Sequence, residues 1–249
     1  MVRLAAIGDL HMRHEVCGRF RPALAGLSGR ADMLLLAGDL TNGGTAAQAE
    51  MLCQELAGMP VPVIAVLGNH DHDEGNQDDI AAQLRTTGVH VLDGDAVTIE
   101  VDGTRVGVAG VMGGGGGFPG TLTAPGDATH GDDLLARGPQ DARRLHAALD
   151  GMDCDLRIAL THFAPVPDTL EGEPRGLYPV LGCSALGEAI DGAAAQLAIH
   201  GHAHLGSEHG RTPGGIPVRN VAHPVLRRPY AIYELPDHTP DGGPGRADA

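Results

Sequence analysis

Lysine is missing from this chain of 249 residues, and all 17 basic positions are arginine. That excludes lysine Schiff-base chemistry and the lysine of a phosphate-binding P-loop. Tryptophan is missing too, and aromatic residues make up 2% of the chain, too few for the stacking groove of a nuclease or single-strand binder. The four cysteines, Cys17, Cys53, Cys154 and Cys183, form no CxxC pair. They read as small buried thiols of a reducing compartment. No apolar run approaches the about 18 residues of a membrane span. Met1 leads straight into a strand pattern, without the basic, apolar and cleavage-site succession of a signal peptide. A cytoplasmic location with no membrane partner is the expectation. Positive charge is scarce: the formal net charge is -15, which argues against duplex nucleic acid, bound mainly through basic contacts to phosphate. Ser184 sits in Gly182-Cys183-Ser184-Ala185, which lacks the G-x-S-x-G frame of a serine nucleophile. No G-x-G-x-x-G follows the first strand, so a dinucleotide site is not expected.

What the chain does contain is an ordered series of acidic, amide and imidazole clusters. They are Asp9-Leu10-His11, Gly38-Asp39, Gly68-Asn69-His70-Asp71, Thr161-His162 and Gly201-His202-Ala203-His204. Most follow a short apolar run: Val2 to Ile7, Met33 to Ala37, Val63 to Leu67, Leu156 to Leu160 and Gln196 to Ile199. Such runs read as buried strands, and side chains at their carboxyl ends share a crevice. Aspartate, asparagine and histidine are ligands for hard or borderline divalent metals.

Helices are expected between the strands. One lies near Arg21 to Leu27, with Pro22 in its first turn. Another starts at Thr45, with Gln48 completing a capping box, and runs to about Ala57. A third, capped by Asn76, runs to about Thr87. Strand-helix-strand alternation with unbroken apolar strands predicts a parallel sheet covered on both faces. The pattern then changes. Ala96 to Val101 and Thr104 to Val111 flank Asp102-Gly103, a hairpin signal. Pro139 opens a helix that ends near Gly151, and another helix is expected near Ser184 to Ile190. Ile216 to Val221 and Tyr230 to Leu235 close the sheets. The reading is one domain over residues 1–235 and a disordered tail over 236–249.

The motif series resembles the calcineurin-like metallophosphoesterase superfamily, whose pattern is Asp-x-His, Gly-Asp, Gly-Asn-His-Asp/Glu, a lone His and Gly-His-x-His. All five elements occur here in order, over roughly residues 1 to 235. The resemblance implies an α/β fold: a four-layer αββα sandwich of two mixed sheets packed face to face, with helices outside. It implies two divalent or mixed-valence metal ions drawn from Mn, Fe, Zn and Ni. Asp9, His11 and His204 would hold one ion, Asn69, His162 and His202 the other, and Asp39 would bridge them. The implied reaction is hydrolysis of a small phosphodiester, such as a nucleotide derivative, by a metal-bridging hydroxide. His70 would assist the leaving group, and Asp71 would orient His70. A phosphomonoesterase or protein phosphatase is the alternative; a non-catalytic metal-stabilised interaction module is the alternative of another class. The oligomeric state is unknown.

Further expectations rest on single segments. Asn69, Arg13 and Arg175 are candidate substrate contacts, although a solvated surface arginine is the plainer reading of Arg13. The loop from Phe163 to Gly182, with Arg175 and Tyr178, is a candidate lid or specificity loop. Gly113 to Gly117 could offer backbone N–H groups to a phosphate, but a flexible loop or a close backbone crossing is the plainer reading. His72, His200, His209 and His223 are expected beside the ligands or at the surface.

Overall fold

The structure, a computed structural model, describes residues 1–121 and 131–236, with the backbone alone at 131–133. Short apolar runs form the strands β1 (Val2–Ile7), β2 (Met33–Ala37), β3 (Val63–Val66) and β4 (Val89–Leu92). They pair in parallel in that order. Strand β11 (Ala231–Leu235) closes the other edge antiparallel to β1.

The second sheet begins with the hairpin β5 (Asp95–Val101) and β6 (Thr104–Val111). It continues through β7 (Leu156–Thr161), β8 (Leu197–His200), β10 (Pro217–Asn220) and β9 (His209–Arg211), in the order β5-β6-β7-β8-β10-β9. Strands β6, β7, β8 and β10 run parallel. The outer strands β5 and β9 are antiparallel to their neighbours.

Strand alternation sorts the apolar residues into layers. Leu4, Leu35 and Ile64 of the first sheet meet Val108, Ile158 and Ile199 of the second in one core. The opposite face of the first sheet, with Ile7, Leu34 and Ala65, is covered by α1 (Arg21–Leu24), α2 (Ala46–Leu56) and α3 (Gln77–Thr86) through Leu24, Leu52 and Leu84. The outer face of the second sheet, with Val111 and Ala159, carries α4 (Gly131–Asp150) and, beyond α5 (Tyr178–Leu181), α6 (Ser184–Gly192). A last turn, α7 (His223–Leu226), precedes β11. The result is the expected four-layer sandwich of two mixed sheets with helices outside.

Local expectations fail at three helix ends. Thr45 caps α2 through its hydroxyl and Gln48 N–H, but the Gln48 side chain accepts from Gly43 N rather than from the cap. Asn76 makes no side-chain cap; its amide reaches toward the Gly44 carbonyl instead. Pro139 does not open α4 but lies inside it. Tertiary contacts extend the helix past the point where proline's preference for a first turn would start it. Strand β4, at four residues, is too short for periodicity to signal, and β9, at three, is both short and polar. The expected tail lies, from residue 237 on, outside the described residues.

Candidate metal centre

Five parallel strands from both sheets end on the same side of the sandwich. β1 delivers Asp9 and His11, β2 Asp39, β3 Asn69 and His70, β7 His162, and β8 His202 and His204. Three donor groups form there: Asp9, His11 and His204; His11, Asp39 and His70; Asp39, His162 and His202. Within each group the donor atoms lie within 4.8 Å of one another. Asn69 joins the last group, its Oδ1 3.1 Å from His162 Nε2. His11 and Asp39 each belong to two groups, so the cluster is continuous.

Hydrogen bonds on the far side of the rings set which nitrogen faces inward. His162 Nδ1 donates to the Ala37 carbonyl at 2.8 Å, which leaves Nε2 toward Asp39 Oδ1 at 3.3 Å. His202 Nε2 donates to the Val180 carbonyl at 3.4 Å, leaving Nδ1 as its free donor atom. His204 Nε2 lies 2.9 Å from Asp9 Oδ1. Burial opposes the charge on Asp39, but the neighbouring His162 imidazolium holds its carboxyl well below the usual range. Burial alone would likewise lower His162; the Asp39 charge overrides it and lifts His162 to about 9. His202 is pushed down to about 3 by burial and by the nearby His162 charge.

The glycines of the motifs have a steric cause. A Cβ on Gly68 would collide with Asp39 Oδ1, one on Gly38 with His162 Nδ1, and one on Gly201 with Asp9 Oδ2. Asp9, His11, Asp39 and His202 adopt positive φ, from 44° to 68°. Left-handed backbone at four donor residues is local strain that the surrounding packing must hold.

His70 and Asp71 do not pair as expected. Asp71 is fully buried and accepts from the backbone N–H groups of Gly68, Leu40 and Thr41 and from the Thr41 hydroxyl, at 2.6–3.1 Å. It clamps the turn at residues 68–72 to the loop after β2. Burial, and then the Asp39 charge, push its carboxyl up to about 6. The carboxylate that meets the His70 ring is Asp73, whose Oδ2 lies 2.8 Å from Nδ1. Asp73 escaped sequence reading because it falls outside the motif; its spacing of three residues within one helical turn was the available signal.

Residues 2–206 match the family described as Calcineurin-like phosphoesterase. The chain belongs to the calcineurin-like phosphoesterase family. No curated protein matches it by sequence. Among solved structures it is similar to phosphopantetheinyl hydrolase from Mycobacterium tuberculosis, at 16% identity and a TM-score of 0.69, covering 96% of this chain and 98% of that one. It is also similar to a putative 5'-nucleotidase from Staphylococcus aureus, at 14% identity and a TM-score of 0.56, covering 88% of this chain and 48% of that one. A third is GAP50, the anchor in the inner membrane complex of Plasmodium, at 12% identity and a TM-score of 0.53, covering 90% and 72%. At these identities the likeness is one of fold.

In this calcineurin-like phosphoesterase the donor set fits divalent ions. His11 Nε2 is buried with no hydrogen-bond partner, 3.8 Å from Asp39 Oδ2, and burial keeps that imidazole neutral by lowering its pKa. A buried lone pair without a donor is costly unless a ligand takes it, and a cation beside Asp39 would. Nitrogen and oxygen donors together suit Mn, Fe, Zn and Ni and do not choose among them.

Other candidates fall outside the cluster. Arg13 is half-exposed and donates Nη1 to Asn42 Oδ1 at 2.9 Å. Arg175 lies on the exposed wall of a separate cavity of about 810 Å³ with Phe118 and Tyr178. No hydrogen bond joins either arginine to the donor cluster among the described residues. The strip Gly113 to Gly117 is a close backbone crossing. Its Gly115, Gly116 and Gly117 N–H groups donate to the carbonyls of Leu134, Pro179 and Gly182, while Gly113 N donates to Asp141. Those groups are therefore spent on the protein rather than held open for phosphate. His200 is buried and binds Thr169 and the Gly201 carbonyl. Among the described residues no helix is long and apolar enough to cross a membrane.

Proposed function

We propose that this phosphoesterase holds two divalent ions and hydrolyses a small phosphodiester, such as a nucleotide derivative. The observation that carries the reading is the run of donor groups joined through His11 and Asp39, with His70 beside them. Asp9, His11 and His204 would hold one ion, Asn69, His162 and His202 the other, and Asp39 would serve both. Bound ions would supply Lewis acidity, lowering the pKa of a coordinated water toward 7 and offsetting charge on phosphoryl oxygens.

The remaining chemistry belongs to side chains. His70 Nδ1 is engaged by Asp73, so Nε2 is the nitrogen that faces the cluster, 4.0 Å from Asp39 Oδ2. The ring is partly exposed, placed between the donors and solvent, where a leaving group departs. It can give a proton to an alkoxide, a step typically worth about 10²–10⁴-fold. An alkoxide needs that proton more than a phenolate does, which favours an alkyl over an aryl leaving group. The His70 backbone N–H also donates to Asp39 Oδ1 at 2.9 Å, tying the proton donor to the shared carboxylate.

The test is turnover of bis(p-nitrophenyl) phosphate against p-nitrophenyl phosphate, with protein loaded separately with Mn, Fe, Zn or Ni. Faster diester turnover, abolished by chelation and restored by metal, is expected. Equal or faster monoester turnover would overturn the diester preference in favour of a phosphomonoesterase. Because an anchor protein shares the fold, fold alone does not establish turnover. Metal retained with neither ester cleaved would favour a non-catalytic interaction module.

A further inference from the structure

Asn69 and Asp73 form one wall of a cleft of about 740 Å³. Asn69 belongs to the donor cluster and Asp73 holds His70, so the cleft opens directly onto the reacting centre. Its far wall is Met112, after β6, with Leu134, Ala136, Arg137 and Gln140 on α4. An inner recess of about 110 Å³ shares His72, Met112 and Arg137 and reaches Gln77. The Gln77 Oε1 atom is buried without a hydrogen-bond partner. The combined space is of ligand size, and neither metal binding nor proton transfer uses it.

The charges in this space decide what it accepts. Arg137 is already committed, its Nε 3.0 Å from Asp141 Oδ2 and its Nη2 3.6 Å from Asp93 Oδ1. Arg85 donates to the Val91 carbonyl at 2.9 Å. A third cation, Arg144, pairs with both Asp93 and Asp141 at 3.0 Å. Against these three guanidinium groups stand four carboxylates, Asp73, Asp78 and Asp93 on the walls and Asp141 behind Arg137. His72 adds no charge at neutral pH, because burial and then the Arg137 charge lower its pKa. An anionic group placed here would meet more carboxylate than unpaired guanidinium, and like charges in a half-desolvated cleft repel. A group with N–H or O–H donors would instead meet the Gln77 and Gln140 side chains beside an apolar wall of Met112 and Leu134, with Ala136 at the rim.

We propose that this cleft receives an uncharged, hydrogen-bonding organic arm of the substrate (a nucleoside, polyol or amide chain), and discriminates against arms that carry a second phosphate. The inference rests on the phosphodiesterase reading and narrows its substrate class. Ala136 and Gln140 become specificity-determining positions, distinct from the residues that hold metal or move protons.

The test uses the metal-loaded full chain and three diesters with one common leaving group: methyl p-nitrophenyl phosphate, thymidine 5'-(p-nitrophenyl phosphate), and the latter with a 3'-phosphate added. The thymidine ester should exceed the methyl ester in kcat/KM by about 10-fold, and the 3'-phosphate should erase that gain. Ala136 is exposed on α4, so Ala136→Trp fills the cleft from its rim without disturbing the core. It should return the thymidine ester to the methyl ester's level and leave the methyl ester within about 2-fold. A 3'-phosphate ester as good as or better than the thymidine ester, or equal loss on both short and long arms in Ala136→Trp, overturns the assignment. Absence of turnover of all three esters by the parent protein overturns the phosphodiesterase reading itself and removes the basis of this inference.

Discussion

His70 places its Nδ1 2.8 Å from Asp73 Oδ2, although the motif would have given that partnership to Asp71. Both members of the pair are partly exposed, so the contact adds little to stability, on the order of 0–1 kcal/mol. Its use is orientation: a carboxylate on Nδ1 fixes the tautomer and turns Nε2 toward the shared Asp39. Asp73→Ala should lower kcat about 10-fold with KM, metal content and melting temperature nearly unchanged. Asp73→Asn keeps an acceptor oxygen and should recover part of the loss. His70→Ala should cost more, about 10²–10⁴-fold, and also keep its metals. Steady-state kinetics on a diester with an alkyl leaving group, with elemental analysis on the same samples, checks all three. Activity of Asp73→Ala equal to the parent's would end the positioning role.

Asp71 predicts the opposite pattern. It collects four donors in a fully buried setting, so its loss strands those groups. Each stranded group costs about 1–3 kcal/mol in the worst case, and partial relaxation reduces the sum. Asp71→Ala should lower the melting temperature by several degrees and lose metal affinity and activity together. A variant that melts like the parent but has lost only kcat would return Asp71 to the role the motif suggested.

The motif glycines give a third prediction. Gly201→Ala would press a methyl against Asp9 Oδ2, while a Cβ at Gly26 meets nothing within 4 Å. Metal retention after gel filtration should drop sharply in Gly201→Ala and stay at the parent level in Gly26→Ala. Parent-level retention in both would show that the glycine is not there to admit Asp9.

The reason these residues were visible in the sequence is that strand ends are short-range features. A buried parallel strand reads as an apolar run, and the next four residues or so line the crevice, so Asp9, His11, Asp39 and His202 announce themselves. Their left-handed backbone was not visible, although the adjoining glycines hinted at crowding. Pairings that depend on side-chain direction within one turn were not legible either, which is why the His70 partner was expected at Asp71 and is found at Asp73. Helix α4 shows a third limit: Pro139 is a strong local signal, and packing against the glycine strip overrode it. The cleft between Asn69 and α4 joins segments about 70 residues apart, a proximity that no local pattern encodes.

Proton competition arises from the Asp39–His162 pair. In the metal-free protein, burial alone would lower His162, but the Asp39 charge raises it to about 9. The folded value lies above the unfolded one, so the charged pair stabilises the metal-free fold fully below about pH 6.5 and loses that contribution as pH rises through about 9. A metal taking His162 Nε2 must displace that proton. Metal affinity should therefore rise with pH up to about 9, with about one proton released from His162 at pH 7. His202 is held down to about 3 by burial and should release none. Titration calorimetry in two buffers of different ionisation enthalpy reads the count, and His162→Asn should reduce it by about one.

The most direct measurement of the central claim is anomalous diffraction from crystals of protein loaded with manganese or zinc. Two peaks about 3.5–4 Å apart are expected on either side of the Asp39 carboxylate, one against Asp9, His11 and His204 and the other against Asn69, His162 and His202. A single peak, or metal bound elsewhere with these side chains unligated, would contradict it.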